Sequence, residues 1–353
     1  YLSTVGELAN SAATFAATAD VEVNGSQFPL IVTTESASSD GAQKEEIESI
    51  RTNAPIKFLS QQRMVTAEDY TAQILANFNY VLDDVISWGG EDNTPPQFGA
   101  VCVALKFKDN TPTIVQESTK NAIITNLTDN LAIMSIDTLY KDPIITFLEV
   151  ETIFNFDPDL TTSTPKATEN TVFSTVQNFF TDNLKKFGKV FRRSQLLALI
   201  DDLDESILNS RIIVKLQQRF TPVTGQALSY SIAFPVAIAT ADDELRRVTS
   251  SRFTFNSRIC FIRNKLSSTK LQIVNADGEV EVDNVGTYTP ETGTVELVGF
   301  NPTSVEGGSE IKITIVPSNE STIRPLRNYI LDIDLLSSNA LATIDYQNTT
   351  TTL

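Results

Sequence analysis

The chain has 353 residues, 41% of them hydrophobic and 20% charged, enough for about two or three domains that bury their own cores, which excludes wholesale disorder and a collagen-like repeat. Lys plus Arg number 27 against 44 Asp plus Glu, and the resulting net charge of −17 repels phosphate backbones, so nucleic acid is not expected as a main partner and basic surfaces are. There is no histidine, which excludes Ser-His-Asp triads, Cys-His dyads and imidazole-ligated metals, and leaves an enzyme only carboxylate pairs, lysine chemistry and oxygen-ligated metals.

The first residue is Tyr1 and the only methionines are Met64 and Met134, so the chain reads as processed or as a piece of something longer. No basic region followed by an apolar core marks a secretion signal. Leu228 to Ala241, the longest weakly polar run, is too short for a membrane span and contains Pro235, so no membrane insertion is expected. The Asn-x-Ser/Thr triplets at Asn24, Asn126, Asn319 and Asn348 are discounted as chance matches.

Residues 1–45 read as a β-rich segment with a hairpin. Val21 and Val23 alternate with polar residues, Asn24-Gly25 suits a type I′ turn, and Phe28, Leu30 and Val32 repeat the alternation on the return strand. Ser36 to Gly41 is a small-residue loop. Residues 46–97 read as helical. Ala42 to Arg51 carries Ile47 and Ile50 on one face, with Asp40 as its cap. Thr66 caps a second helix, with Asp69 as its capping-box partner and Tyr70, Ile74, Leu75 and Phe78 at helical spacing. Glu91 to Pro96 is a polar, proline-rich break and a candidate domain boundary.

Residues 98–222 read as an α+β domain. Val101, Val103 and Leu105 alternate in a strand, and Pro112 falls near a helix start followed by Ile123, Ile124, Leu127 and Leu131 on one face. Ile144 to Phe156 is a long strand ending at Asp157-Pro158, and Thr161 to Pro165 is a loop. Val172, Phe173, Val176, Phe179, Phe180, Leu184 and Phe187 form the clearest helical stripe, assigned to the core, with Gly188 as its C′ glycine. Ser194 caps a short helix bearing Leu196, Leu197, Ile200 and Leu203, and Ile212, Val214 and Leu216 form the last strand. The order β-α-β-α-α-β is that of an α+β sandwich, of ferredoxin-like order. Residues 223–353 read as a mostly β domain, sandwich or barrel-like, punctuated at Asp277-Gly278, Thr289 to Gly293 and Gly307-Gly308, and ending in a polar tail from Tyr346 to Leu353. The expected fold class is multi-domain α+β.

The chemistry-bearing residues favour structure over catalysis. Cys102 and Cys260 sit in apolar, strand-like runs; two buried free thiols are the favoured reading, a long-range disulfide is the alternative, and two isolated thiols are too few for zinc. Reduced thiols fit an intracellular assembly environment. Asp201, Asp202, Asp204 and Glu205 follow a short helix as a solvated acidic loop and lack the glycine of a calcium loop; Asn275 to Gly278 has the glycine but Ile273 at the first ligand position. Asp157 with Asp159, and Asp332 with Asp334, read as strands with their polar faces outward rather than as catalytic pairs. Neither catalytic, cofactor-binding nor metal-binding residues are expected. Lys185, Lys186, Lys189, Arg192 and Arg193 reverse the local charge, either as cations at a helix C-terminus or as a candidate interface for an acidic surface such as another copy of this chain.

Three groups of residues carry a family resemblance. Ala54-Pro55-Ile56-Lys57-Phe58, Gln62-Arg63-Met64-Val65-Thr66 and Glu68-Asp69-Tyr70 together resemble a segment of the baseplate J-like family of contractile-tailed bacteriophages, with Met64 where alanine is usual. Phe187-Gly188 with Val190 and Ser194 resembles that family's glycine-then-capped-helix element. Tyr288 to Gly293, Val295 to Phe300 and Ile323-Arg324-Pro325-Leu326-Arg327-Asn328 are similar to the C-terminal region of its T4-type wedge proteins. The resemblance covers most of residues 45–345 and implies the C-terminal portion of a longer virion protein. It implies a non-enzymatic role without cofactor: homodimerising, binding other baseplate wedge proteins, and joining wedges into a ring around the hub after assembly in the host cytoplasm. Within it Thr66 and Asp69 cap a helix, Tyr70 packs its first turn, and Ala54-Pro55 sets the turn into it. The alternative is a β-rich binding module of tail-fibre or carbohydrate-binding type, although Trp88, the single tryptophan, lies outside the β-rich region. A carboxylate-based hydrolase is the least favoured class.

Overall fold

The computed structural model describes residues 20–32 except 24, positions 47, 50, 51, 54, 55 and 58, and residues 63–346 except 94 and 133–135. The loop expected at Ser36 to Gly41, the Asp40 cap and the tail beyond Tyr346 lie outside the described residues. The chain forms two compact units, residues 1–143 and 144–353.

In the first unit, β1 (Val21–Val23) and β2 (Ser26–Phe28) pair antiparallel with Val23 opposite Ser26, and Gly25 takes a φ of 79°, the hairpin its sequence predicts. Ile47, Ile50 and Arg51 are helical as expected. Ala54 and Pro55 are helical too, so the turn expected there is not formed at those positions; proline's fixed φ is compatible with a helix. Helix α1 (Ala67–Phe78) starts on a complete capping box: the Asp69 N–H donates to Thr66 Oγ1 at 3.3 Å, and the Thr66 N–H donates to Asp69 Oδ2 at 3.0 Å. Tyr70, Ile74 and Phe78 recur on the face that packs into the core. Thr66→Ala is expected to lower the melting free energy of this unit by about 1 kcal/mol, whereas Thr66→Ser leaves it nearly unchanged; equal losses in thermal melts would show that the hydroxyl is not the stabilising group.

Strands β3 (Leu82–Gly89) and β4 (Ala100–Phe107) form an antiparallel hairpin, and Glu91 to Pro96 lies in its connection. Helix α2 (Thr113–Ile123), entered at Pro112, carries the chain to β5 (Asp137–Tyr140), which runs parallel to β4. Their shared core holds Met64, Val85, Val103, Leu105 and Ile123.

Among its described residues the second unit holds a 13-stranded sheet, a separate two-stranded sheet and two α-helices. Strand β6 (Ile144–Phe156) alternates buried and partly exposed residues along most of its 13 residues, the period-two signature of a strand with one buried face. Helix α3 (Pro165–Asn183), capped by Thr164, is followed by β7 (Phe191–Arg192), helix α4 (Arg193–Asp201) and β8 (Ile207–Phe220), which pairs antiparallel with β6. The β-rich stretch then supplies β9 (Leu228–Ala233), β10 (Val248–Ser250), β11 (Phe253–Phe255), β12 (Arg258–Asn264), β13 (Lys270–Asn275), β14 (Val280–Thr289), β15 (Thr294–Phe300), β16 (Ser304–Val305) and β17 (Ile311–Ile315). The small strand β18 (Thr322–Ile323) pairs with β7, and the chain returns through β19 (Tyr329–Ile333) and β20 (Asn339–Ile344).

The main path runs β19-β6-β8-β17-β10-β12-β13-β14-β15-β9. The sheet curls until Tyr230 of β9 meets Phe220 of β8, ring centroids 4.9 Å apart, and Phe300 packs edge-on to Phe253 at 5.1 Å. The ferredoxin-like order is not formed as one sheet. Strands β4 and β5 belong to the first unit, β6 and β8 to the second. What stands is a mixed α+β chain dominated by β structure towards its C-terminal end.

The helical stripe of α3 is buried as expected at Val172, Val176, Phe179 and Phe180. The helix ends earlier than Gly188, with Leu184 as C-cap; Gly188 has a φ of 67° in the following loop, where buried Phe187 and Phe191 complete the apolar cluster. Ser194 is not the cap of α4. That position is Arg192, whose side chain makes no capping bond. Glu169 on α3 reaches the edge of β20, its Oε1 accepting the Ala342 N–H at 3.0 Å. That bond and the Lys166 ammonium hold its carboxyl below the usual range, and the charge occupies an edge amide otherwise open to strand addition.

Candidate functional site

The second unit contains a connected polar network. Asp334, directly after β19, is 4% exposed. Its Oδ2 accepts from Lys312 Nζ at 2.8 Å, from Gln217 Nε2 at 2.9 Å and from the Ser337 hydroxyl at 2.9 Å, while Arg219 stands 3.4 Å from Oδ1. Gln217 also donates to Glu149 Oε1 at 2.9 Å, and Thr314 donates to the same oxygen at 2.8 Å. The Arg219 guanidinium lies 3.8 Å over the Phe147 ring. Four strands, β6, β8, β17 and β19, are therefore joined through side chains as well as through their ladders.

This arrangement is a staple, not a poised acid or base. Burial alone raises the Asp334 carboxyl, but the hydrogen bonds from Lys312, Gln217 and Ser337 and the Lys312 charge outweigh it and bring the group down to about 2. A carboxylate held that firmly ionised neither donates nor returns a proton near neutrality. The outward polar face expected for Asp332 and Asp334 is thus wrong for Asp334. Asp332, partly exposed, accepts the Ile333 N–H at 2.8 Å and pairs with Lys185 at 3.1 Å.

The other carboxylate candidates are structural as well. Asp157 is 1% exposed, not on an outward face, because its Oδ1 caps the short turn after β6 by accepting the Asp159 N–H at 3.0 Å. Asp201 accepts the Ser210 hydroxyl, and Asp204 accepts the Ser206 N–H at 2.9 Å. Asn275 Oδ1 accepts the N–H groups of Asp277 and Glu279, which closes the turn that resembled a ligand loop. Among the described residues no three His, Cys, Asp or Glu side chains are grouped to hold a metal. Cys102 and Cys260 are free and buried, and burial pushes the Cys260 thiol up, away from nucleophilic thiolate. Trp88 is buried and donates to Asn93 Oδ1 at 3.0 Å, so it offers no stacking platform for a sugar.

The basic run divides in two. Lys185 is tied to Asp332, and Arg193 to Glu320 at 3.5 Å and to the Ser321 hydroxyl at 3.1 Å. Lys186, Lys189 and Arg192 are exposed in the loop and short strand beyond α3. None lies in the last turn of α3, so the helix-terminus reading fits them poorly. The β7–β18 ladder, with Thr322 opposite Arg192 and Ile323 opposite Phe191, brings exposed Arg324 alongside the same loop, a cation the linear run could not show.

Comparison with known proteins follows the division of the fold. Residues 66–139 match the family model described as baseplate structural protein gp6, C-terminal domain I, and residues 145–219 match that of C-terminal domain III. Baseplate wedge protein gp6 of Enterobacteria phage T4 is 24% identical over 268 residues, 73% of this chain and 38% of that protein. The chain is gp6-like.

Its matched segments are similar to C-terminal domains of gp6, and the chain spans 38% of the length of the curated relative it matches. The interval between the two matched domains brackets the division at Pro143, so the family's domain border and the structural border coincide. The gp6 family is one of structural baseplate proteins, not enzymes. In this gp6-like chain no described helix is long and apolar enough to cross a membrane.

Proposed function

We propose that the chain serves as a structural component of a phage tail baseplate, associating with itself and with other wedge proteins to join wedges into a ring around the hub. The observation that carries this reading is the pair of gp6 domain matches, in chain order and fitted to the two units. The chemistry is in keeping with it: the buried acidic groups serve as staples and caps, and the cations left exposed at Lys186, Lys189, Arg192 and Arg324 suit an acidic neighbour. The ring belongs to the virion tail, after assembly in the host cytoplasm. A β-rich binding module finds less support, since the one tryptophan is buried.

Sedimentation equilibrium over a wide concentration range tests the proposal. Concentration-dependent dimers or larger species are expected, and Lys186→Glu with Lys189→Glu is expected to weaken them by roughly tenfold and to blunt their salt dependence. A chain that stays monomeric at every concentration and binds no wedge partner would remove the reading.

A further inference from the structure

Helix α4 carries its charges the wrong way round. Cations are favoured at a helix C-terminus and anions at the N-terminus, yet Arg192 and Arg193 open α4 and Asp201 and Asp202 close it. Arg193 is neutralised by Glu320; Arg192 and Asp202 are exposed. A local rule broken without an internal compensation marks a place where function outweighs stability.

The same helix borders an open groove. Gln195, Ala198, Leu199 and Asp202 line one side, at the i, i+3, i+4, i+7 spacing of a single helical face, and Phe179 and Asn183 of α3 line the other. Leu199, 47% exposed, supplies the apolar residue of this face. Arg192, the N-cap residue, lies extended in β7 three residues before Gln195, exposed at the N-terminal end of the helix. From N-cap to C-cap the exposed residues therefore run cation, polar, small, apolar, anion over about 15 Å.

Such a stripe is its own complement when turned end for end. We infer that α4 packs antiparallel against α4 of a second copy across a twofold axis near Ala198. Each Arg192 then meets the mate's Asp202, each Leu199 enters the mate's groove beside Phe179, and the small Ala198 lets the backbones approach. A twofold contact of this kind uses one patch twice, and the two reversed dipole ends cancel head against tail. The inference rests on the self-association proposed above and specifies its surface and its partner.

The test is a charge swap. Arg192→Glu and Asp202→Arg, made singly, are each expected to weaken self-association at least about tenfold, because each substitution acts twice across the axis. The double variant, Arg192→Glu with Asp202→Arg, is expected to restore association to within about threefold of the original chain. Both single variants place the dipole-favoured charge at their helix end, so their thermal melts are expected to stay level or rise while association falls. A purely structural role for these residues gives the opposite pairing. If the original chain associates and the single variants do so equally well, or the double variant is not rescued, the α4 contact is overturned and the baseplate reading stands. If the original chain never associates with itself, the α4 contact falls, and the baseplate reading falls with it only where no wedge partner is bound either.

Discussion

Asp334→Ala is expected to lower the stability of the 144–353 unit by about 3 kcal/mol, read as a fall in the urea midpoint with an unchanged slope. The substitution leaves Lys312 and Gln217 facing a hole where their acceptor stood, and it loosens four strands at once. Lys312 is partly exposed, which keeps the loss below that of a fully sealed ion pair. The pH dependence has a definite sign. The folded-state carboxyl is depressed to about 2, so its contribution is complete above the ordinary aspartate value of about 4 and fades as the pH falls through 2. Between those limits the original chain is expected to lose on the order of 2 kcal/mol that Asp334→Asn no longer has to lose. Parallel acid-unfolding curves for the two chains would show that Asp334 is not the stapling group.

Phe180→Ala is expected to cost about 4 kcal/mol in the same unit. Phe180 is fully buried, edge-on to Phe179 at 6.0 Å and stacked on Phe191 at 5.9 Å, where α3, β7 and the loop between them converge. Truncation leaves a cavity that three fixed elements cannot close. Phe180→Leu refills most of it and is expected to cost about half as much. A loss under about 1 kcal/mol for alanine, in a denaturation series followed by circular dichroism, would mean that the cluster is not the anchor of α3.

How far the sequence discloses these features depends on how local their causes are. The α3 stripe and the Thr66–Asp69 box repeat within a few residues, so periodicity and spacing find them. The end of α3 is different: Gly188 has the positive φ of a C′ glycine, but buried Phe187 draws the chain out of the helix four residues earlier. Asp334 is hidden for the same reason on a larger scale. Its local neighbours, Ile333 and Leu335, suggest an outward polar face, while its partners Lys312 and Gln217 stand 22 and 117 residues away in sequence. The joining of the β-rich stretch to β6 and β8 is likewise a matter of long-range pairing, to which alternation along one strand is blind. The α4 stripe was within reach of helical spacing. Read along the chain, its ends fall into a basic run and an acidic loop, and only the helix placed between them makes them opposite ends of one element.

The return of β19 and β20 has a mechanical consequence. Both lie parallel to β6, Tyr329 beside Ile144 and Ile344 beside Phe156, so the unit begins and finishes on adjacent ladders at opposite extremities of one long strand. Tension applied between residues 144 and 344 runs along those ladders and strains their rungs together in shear, instead of peeling them one by one. A piece that must transmit a pull without coming undone gains from such a clasp, and stretching from these two residues should require far more force than stretching across a neighbouring hairpin such as β12–β13.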